Sequence, residues 1–509
     1  MSNALATAGA RRRRAATIRG ADAKAPMRYS GAAMPEPASA PSAAVFRRRR
    51  ATVAARLGSR GALVFAGGWR GRNYAANVYP YRCGSHFLYL VGAPLPDAVL
   101  WLSGDRAELF VPPPGDDDAL WHGHVPDFAE IAARTGVDRV RPLPEFHDEI
   151  LRVGAHHLAT LPSLDPHTCA RQRACLDRRW PDDTTPAVGS LDAVDLELAD
   201  AMIAARLCHD DAALAAIRTA LEATAAGHLA GMAATRPGIL EHQVRAAIEA
   251  EFIARGTECA YNSIVTVHGE VLHANTYHRR LADGDLLLAD AGAEHDGWAS
   301  DVTRTWPVSG SFSPTQRALY ELVLAANEAA IAKVRPGVRY RDVHLEAARV
   351  LTRGLVDLGI CHGNPDGLVE RGVHAMLFPH GVGHLLGLDV HDMEDLGDRA
   401  GYAPGRSRHS QFGLGYLRLD RELEPGMVVT IEPGLYLVDA ILRDETLCGP
   451  FVRDGSLSRE RLAQFADVRG IRIEDDVLCT PTGPVVLSAS IPKAPDDVCA
   501  LVGRPATGS

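Results

Sequence analysis

The chain has 509 residues, of which 46% are hydrophobic and 23% are charged, and its formal net charge is −9. This composition is typical of a soluble globular protein, and the length is too great for one ordinary core, so we expect two domains. A negative net charge gives no general attraction to nucleic acid or to anionic membranes, and we expect neither as a partner.

The cysteine content indicates the compartment. The nine cysteines are an odd number and include no CxxC pair, which favours a reduced, cytoplasmic location over a disulfide framework. No stretch approaches 18 consecutive apolar residues, so no transmembrane helix is predicted.

Residues 1–45 form a leader that is rich in Ala, Ser, Pro and Arg and nearly free of large apolar side chains. Such a segment cannot bury enough surface to offset its chain entropy, so we predict disorder. It lacks the apolar segment of a secretory signal, and we favour a non-functional extension over a targeting peptide. The arginines from Arg47 to Arg50 then open a helix whose basic face we expect to be solvated.

Residues 46–200 alternate short strands and helices and predict a smaller α/β N-terminal domain. Apolar runs at 98–102 and 107–111 flank Ser103-Gly104-Asp105-Arg106, which is a hairpin signal. A stretch rich in Pro, Asp and Thr, from Trp180 to Pro186, indicates a domain boundary near 190–205.

Residues 201–495 contain a repeated pattern of helix, Arg-Pro-Gly and helix, and 496–509 remain as a tail. The first copy stops at Arg236-Pro237-Gly238 and the second stops 99 residues later at Arg335-Pro336-Gly337. Ser313-Pro314-Thr315-Gln316 supplies an N-cap, an N1 proline and a capping glutamine. Strands follow each copy, so the pattern predicts a pseudo-symmetric α+β domain.

Acidic residues lie within the apolar strands that follow each copy. A reversal centred on His295-Asp296 would place Asp290 opposite Asp301 in a hairpin. Glu432 and Glu474 lie in two later apolar runs. Because a buried lone carboxylate is costly, four of them require a common explanation.

The stretch 378–392 carries His380, His384 and His391 among glycines. Four strand-borne acids and a histidine form an oxygen-rich site that suits Mn²⁺, Mg²⁺ or a two-metal centre. Two divalent cations would balance the carboxylates, and a water bridging them would be available as hydroxide. A glycosidase pair would use only two of the acids, and no GxSxG, P-loop or dinucleotide fingerprint competes for the chemistry.

The segments DAG, SDVTRTW, HGVGHLLGLDVHD, EPGMVVTIEPGLY and GIRIEDD resemble the pita-bread metallopeptidases, in the branch of aminopeptidase P and prolidase. The resemblance covers residues 200–490, and Tyr79-Pro80-Tyr81-Arg82 is similar to that branch's N-terminal domain. It implies a pita-bread domain with two divalent metal ions, usually manganese. The implied metal ligands are Asp290, Asp301, His384, Glu432 and Glu474.

The resemblance also implies a role for each site residue. Asp301 and Glu474 would bridge the metals, Asp290 would complete one site, and His384 with Glu432 would complete the other. The implied outer residues are His273, His380 and His391, which would bind substrate and stabilise the transition state, and Arg472 and Tyr436, which would orient the site. Asp389 and Asp392 are then surplus as ligands and are expected to be structural.

The implied activity is that of a metalloaminopeptidase that removes the N-terminal residue from peptides with proline second, by a metal-bridging hydroxide. Proline has no N–H and a fixed ring, so peptidases that bind an extended backbone handle it poorly. The stretch that carries Arg418 resembles one in prolidases, and this resemblance implies that Arg418 would hold a dipeptide's carboxylate, so an Xaa-Pro dipeptidase is the alternative. The N-terminal segments are more similar to aminopeptidase P, and we favour the Xaa-Pro aminopeptidase.

More distant alternatives are a non-catalytic peptide-binding module and a creatine-type amidinohydrolase on the same fold. The family tends to form homodimers or homotetramers in which N-terminal domains border neighbouring sites. Trp121 is a candidate for such a border position.

Overall fold

The computed structural model describes residues 41–74, 76–163, 165–178 and 191–504. The predicted leader lies outside the described residues except for its last five, of which 43–45 already belong to the first helix. The stretch from Trp180 to Pro186 also lies outside them. No helix in the described ranges is long and apolar enough to cross a membrane.

The N-terminal domain is built on a mixed sheet. Its strands are β1 (Gly61–Phe65), β2 (Gly71–Tyr74), β3 (Asn77–Val78), β4 (Val99–Ser103), β5 (Arg106–Val111), β6 (Arg139–Pro142) and β7 (Leu158–Thr160). Its helices are α1 (Ala43–Leu57), α2 (Ser85–Val91), α3 (Asp118–His122), α4 (Phe128–Thr135), α5 (Glu145–Val153), α6 (Pro166–Leu176) and α7 (Ala193–Arg206). Five strands form one sheet in the order β6-β5-β4-β1-β7. β4 and β5 pair antiparallel from Val99 opposite Phe110 to Ser103 opposite Arg106, which confirms the predicted hairpin.

The prediction of a solvated basic face on α1 is wrong for two of its arginines. Arg49 and Arg50 are each only 4% exposed. Arg49 donates to the carboxylate of Asp210 at 2.9 and 3.0 Å. Arg50 donates to carbonyl oxygens at the C-terminal ends of α2 and α4, Leu90 and Thr135 among them. Buried guanidinium groups therefore satisfy helix-end carbonyls that would otherwise lack donors.

Helix α7 connects the two domains. The boundary predicted at 200 falls inside this helix, which continues to Arg206. Asp195 of α7 accepts from the backbone N–H of Thr160 at 2.9 Å, so the helix packs on the N-terminal sheet. The change of domain comes in the turn that follows, where Asp210 caps the next helix by accepting from the N–H of Ala213 at 2.9 Å.

The second domain contains the remaining elements. Its strands are β8 (Glu258–Cys259), β9 (Ile264–Thr266), β10 (Leu286–Asp290), β11 (Ala293–His295), β12 (Trp298–Ala299), β13 (Thr303–Pro307), β14 (Val428–Ile431), β15 (Gly434–Tyr436), β16 (Gly470–Arg472), β17 (Asp475–Thr480) and β18 (Gly483–Val486). Its helices are α8 (Asp211–Ala234), α9 (Glu241–Ala254), α10 (Pro314–Lys333), α11 (Tyr340–Asp357), α12 (Pro365–Arg371), α13 (Asp398–Gly401), α14 (Asp439–Leu442), α15 (Gly449–Arg453), α16 (Arg459–Ala463) and α17 (Pro495–Leu501). The strands form sheets β13-β10-β9, β12-β11-β8, β14-β17-β18 and β15-β16.

The internal repeat is visible in matching contacts. Helices α8 and α9 pack together, and α10 and α11 pack together. At the two stops, Gly238 and Gly337 have φ of 93° and 79°. Their N–H groups donate to the carbonyls of Leu281 and Leu423, each at 2.8 Å. The α+β pseudo-symmetry predicted from the two Arg-Pro-Gly signals is therefore confirmed.

The predicted pairing of Asp290 with Asp301 is wrong by two residues. Asp290 faces Thr303, and His295 faces Trp298. The turn centres on Asp296 and Gly297, whose φ values of 50° and 84° suit a tight hairpin turn. Because the side-chain period of a strand is two, this shift keeps each acid on its original face.

Three of the four acids lie in breaks between strands rather than inside strands. Asp301 lies between β12 and β13, Glu432 between β14 and β15, and Glu474 between β16 and β17. Asp290 is the last residue of β10. At a strand end a side chain can reach a cavity instead of the apolar core.

The predicted tail begins with an ordered helix. α17 packs against α8 and β13. Its Val498 is fully buried in the same apolar cluster as Met232 and Trp306.

Candidate metal centre

Three buried side chains form the centre of the site. The ligand atoms of Asp301, His384 and Glu474 all lie within 4.8 Å of one another. Their exposed fractions are 5%, 4% and 2%. Within the part of the chain that the structure describes, this is the group of acids and histidines whose geometry suits a metal ion.

Asp290 joins the centre through a tyrosine. The hydroxyl of Tyr261 lies 2.5 Å from Oδ1 of Asp290 and 2.6 Å from Oδ1 of Asp301. Tyr261, which lies on the connection between β8 and β9, thus contacts both aspartates.

Glu432 joins the centre beside His384. Nε2 of His384 lies 3.4 Å from Oδ2 of Asp301 and 3.8 Å from Oε1 of Glu432. Nδ1 of His384 is 3.0 Å from the carbonyl of Leu385, and this contact assigns the proton to Nδ1. The Nε2 lone pair is therefore directed at the acids, as in histidines that bind metals. All five predicted ligands line one cavity.

The acids carry more negative charge than their surroundings balance. Burial is the largest cause that raises the pKa of Asp290, Asp301, Glu432 and Glu474. For Asp290, Glu432 and Glu474 the charges of neighbouring acids raise the pKa further. The pKa of Glu432 rises to about 8. Arg472 offsets only part of this charge. The donor set of carboxylates and one imidazole fits hard divalent cations, which would balance the remainder.

Arg472 links several parts of the site. It donates to the carboxylate of Asp290, and its Nε donates to Oγ1 of Thr303 at 2.9 Å. Thr303 in turn donates to Oε2 of Glu474 at 2.7 Å. Nη1 of Arg472 donates to the hydroxyl of Tyr436 at 3.2 Å. These contacts fix the orientation of two carboxylates from one buried guanidinium.

His380 is held in a neutral state. Its Nδ1 lies 2.7 Å from the carbonyl of Gly381, and its Nε2 lies 2.9 Å from the hydroxyl of Tyr436. Burial, with the charge of Arg472, lowers the pKa of His380 to about 3. Its Nε2 therefore accepts the hydrogen of the Tyr436 hydroxyl.

His391 lies against His384, with 4.3 Å between the ring centroids. Its Nδ1 donates to Oε2 of Glu394 at 2.6 Å. Burial lowers the pKa of His391, and the neighbouring His384 lowers it further. The imidazole of His391 is thus neutral, and the contact with Glu394 fixes its orientation. Nε2 takes no part in that contact.

His273 is an exposed residue on the loop between β9 and β10. Partial burial lowers its pKa, and the charge of Arg472 adds to the effect. It lines two cavities, of 650 and 1220 Å³, which also share Asp290, Asp301 and His391.

The two cavities have different surroundings. The smaller one has an apolar wall formed by Phe412, Tyr416, Val438 and Ile441. The larger one extends to the N-terminal domain, where Tyr79 and Arg82 line it.

Trp121 is 67% exposed on the short surface helix α3.

Sequence reasoning missed three residues of the site. Thr303 lies inside the SDVTRTW segment that carries the family resemblance, so its position beside Asp301 could have marked it as a site residue. Glu394 follows His391 by three residues, a spacing that allows contact on one turn. Tyr261 lies 29 residues before Asp290, and no local pattern marks it.

Two family models match the chain. The model described as metallopeptidase family M24 matches residues 215–481. The model described as aminopeptidase P, N-terminal domain, matches residues 46–159.

Known proteins are similar over nearly the whole chain. The Xaa-Pro aminopeptidase of Escherichia coli is 32% identical over 470 residues, which cover 90% of this chain and 96% of that protein. The structure of proline aminopeptidase P II from Yersinia pestis has a TM-score of 0.73 and 32% identity, covering 91% of this chain and 99% of that one. E. coli aminopeptidase P with the inhibitor Pro-Leu has a TM-score of 0.71 and 30% identity, covering 91% of this chain and 98% of that one.

Proposed function

Because the chain belongs to the aminopeptidase P family of the M24 metallopeptidases and is an Xaa-Pro aminopeptidase, we propose that its four clustered acids and one histidine bind two divalent cations. The ligands in this proposal are Asp290, Asp301, His384, Glu432 and Glu474, and the expected metal is manganese. The observation that carries the proposal is that the ligand atoms of three of these buried side chains lie within 4.8 Å of one another and that all five side chains line one cavity.

The cations, when bound, would activate a water molecule and polarise the scissile carbonyl. The protein's own part is to keep the ligands in place. Tyr261 holds Asp290 and Asp301 at a fixed separation, and Thr303 holds Glu474. Such contacts raise metal affinity because the ligands do not have to be ordered on binding.

Proton transfer is assigned to His391. Its Nδ1 proton is engaged by Glu394, so Nε2 is the atom that can take up a proton in the cavity. Proline leaves as a secondary amine, and its nitrogen must be protonated as the bond breaks. We assign that protonation to Nε2 of His391, which would first take up the proton released by the attacking water and then pass it to the proline nitrogen. His273, at the junction of both cavities, binds the substrate.

The smaller cavity suits the residues that follow the cleaved bond. Its wall of Phe412, Tyr416, Val438 and Ile441 offers apolar contact to a proline ring. A tertiary amide has no N–H to donate, so such a pocket would replace the backbone hydrogen bonds on which other peptidases depend.

The dipeptidase alternative depends on Arg418, which lines the same cavity. Its guanidinium is paired with Glu394. This pairing favours the aminopeptidase, because the charge that would hold a dipeptide's carboxylate is already balanced. A non-catalytic binding module would not need an intact set of five ligands.

The test compares two peptides that differ at one position. Manganese-loaded protein is incubated with Xaa-Pro-Yaa and with Xaa-Ala-Yaa, and the released N-terminal residue is measured. We expect release from the proline peptide and little from the alanine peptide. Release from neither, or faster release from the alanine peptide, would overturn the proposed specificity.

A further inference from the structure

Glu394 is shared between a site histidine and an arginine. Its Oε2 accepts from Nδ1 of His391 at 2.6 Å, and its Oε1 accepts from Nη1 of Arg418. The hydrogen bond from His391 is the main cause that lowers the pKa of Glu394 to about 2, and the charge of Arg418 contributes. Glu394 is therefore an anion at neutral pH, and it stands beside the reacting centre without belonging to the predicted ligand set.

Arg418 lines the smaller cavity, where a carboxylate of a bound substrate would reach it. The described arginines that line this cavity are Arg408, Arg418 and Arg472. Each of them contacts a carboxylate of the protein: Arg408 contacts Asp398, and Arg472 contacts Asp290. None of these three arginines therefore has a charge left unpaired that could bind the free C-terminal carboxylate of a substrate.

We propose that Glu394 determines substrate length, because it balances the charge of Arg418 and so disfavours substrates whose proline carries a free carboxylate. This inference rests on the proposed function. A dipeptide Xaa-Pro ends in a carboxylate directly after the ring, close to the cleaved bond. A longer peptide has a neutral amide at that place and meets no repulsion from Glu394.

The size of the effect follows from the exposure of the pair. The side chains of Arg418 and Glu394 are 37% and 48% exposed. Partly exposed ion pairs contribute little each, so we expect a change in selectivity of about five-fold rather than a complete switch.

The experiment uses Glu394→Gln with two substrates of equal length, Xaa-Pro with a free carboxylate and Xaa-Pro amide. Glutamine keeps an oxygen that can accept from Nδ1 of His391 and loses the charge. The measured quantity is the ratio of kcat/KM for the acid to kcat/KM for the amide, with manganese-loaded enzyme. A loss of activity through His391 or through partial unfolding affects both substrates equally and cancels in the ratio.

The ratio is expected to rise about five-fold in Glu394→Gln. The rise should disappear in the double variant Glu394→Gln/Arg418→Gln, where no charge remains to attract the carboxylate. An unchanged ratio in the single variant, or an equal rise in the double variant, would overturn the role of Glu394. Failure of the wild-type enzyme to cleave Xaa-Pro-Yaa would instead overturn the proposed function itself.

Discussion

Nη2 of Arg206 donates to Oδ1 of Asp392 at 2.5 Å, and this contact joins the helix between the domains to the histidine-rich stretch. The same atom donates to Asp389 at 3.1 Å, and Nη1 lies 2.9 Å from Nδ1 of His86. Arg206 and Asp392 are 2% and 6% exposed. The two aspartates that we expected to be structural thus hold the segment that carries His391.

Replacement of Arg206 by methionine should destabilise the protein strongly. The change leaves the buried carboxylate of Asp392 without its cation, and breaking a buried pair from one side costs about 3–5 kcal/mol. Denaturant unfolding measures the loss. The matched control is Arg399→Met, which removes a bond to Asp200 between side chains 37% and 55% exposed and should cost less than about 1 kcal/mol. Equal losses in the two variants would contradict this account of Arg206.

Replacement of Tyr261 by phenylalanine should weaken metal binding. The hydroxyl that holds Asp290 and Asp301 is lost, and such supporting contacts are worth about 10–100-fold in metal affinity. Competition with a chelator measures the affinity. Tyr277→Phe is the control, because that hydroxyl donates to the carbonyl of Ser263 at 2.7 Å and not to a ligand. If both variants bind manganese like the wild type, Tyr261 has no such role.

His374 should make stability depend on pH away from the metal centre. Its ring is 2% exposed and neither ring nitrogen finds a hydrogen-bond partner among the described residues. Burial lowers the pKa of His374 to about 4, whereas in the unfolded chain the pKa is about 6.5. The unfolded state therefore takes up the proton first, so this contribution to stability is complete above about pH 6.5 and is lost as the pH falls towards 4.

The expected loss from His374 between about pH 7.5 and about pH 5 is roughly 2 kcal/mol. Denaturant unfolding of the metal-free protein at both pH values measures it. His374→Asn should remove this share of the pH dependence. An identical pH dependence in the variant and the wild type would show that the imidazole is not responsible.

Much of the fold could be predicted from local signals. Each of these signals acts over only a few positions of the chain. Examples are the Arg-Pro-Gly sequences that end two helices, the N-cap of α10 at Ser313 and the hairpin turn from Ser103 to Arg106. The register in which β10 pairs with β13 was harder to predict than these local features. The pair Asp296-Gly297 adopts positive φ and moves the turn by one residue, and His295-Asp296 is an equally polar alternative in the sequence.

The supporting contacts of the site were the least predictable part. The acids stood out because they lie within apolar runs, and a resemblance over short segments then implied the five proposed ligands, which line one cavity in the fold. Tyr261 reaches its partners across 29 and 40 residues, and Arg206 reaches Asp392 across 186. The burial of Arg49 is of the same kind, because it depends on Asp210 and on the carbonyl of Tyr89 in α2. Contacts of this range are set by the packing of whole elements and leave no periodic signal in the chain.

The most direct test of the central claim is the rate of Xaa-Pro-Yaa hydrolysis by Asp301→Asn in the presence of manganese. Asp301 lies in the central group with His384 and Glu474, and asparagine preserves its shape while removing the charge. We predict that kcat/KM falls by more than about a hundred-fold relative to the wild type. Wild-type kcat/KM in this variant would contradict the assignment of the metal centre.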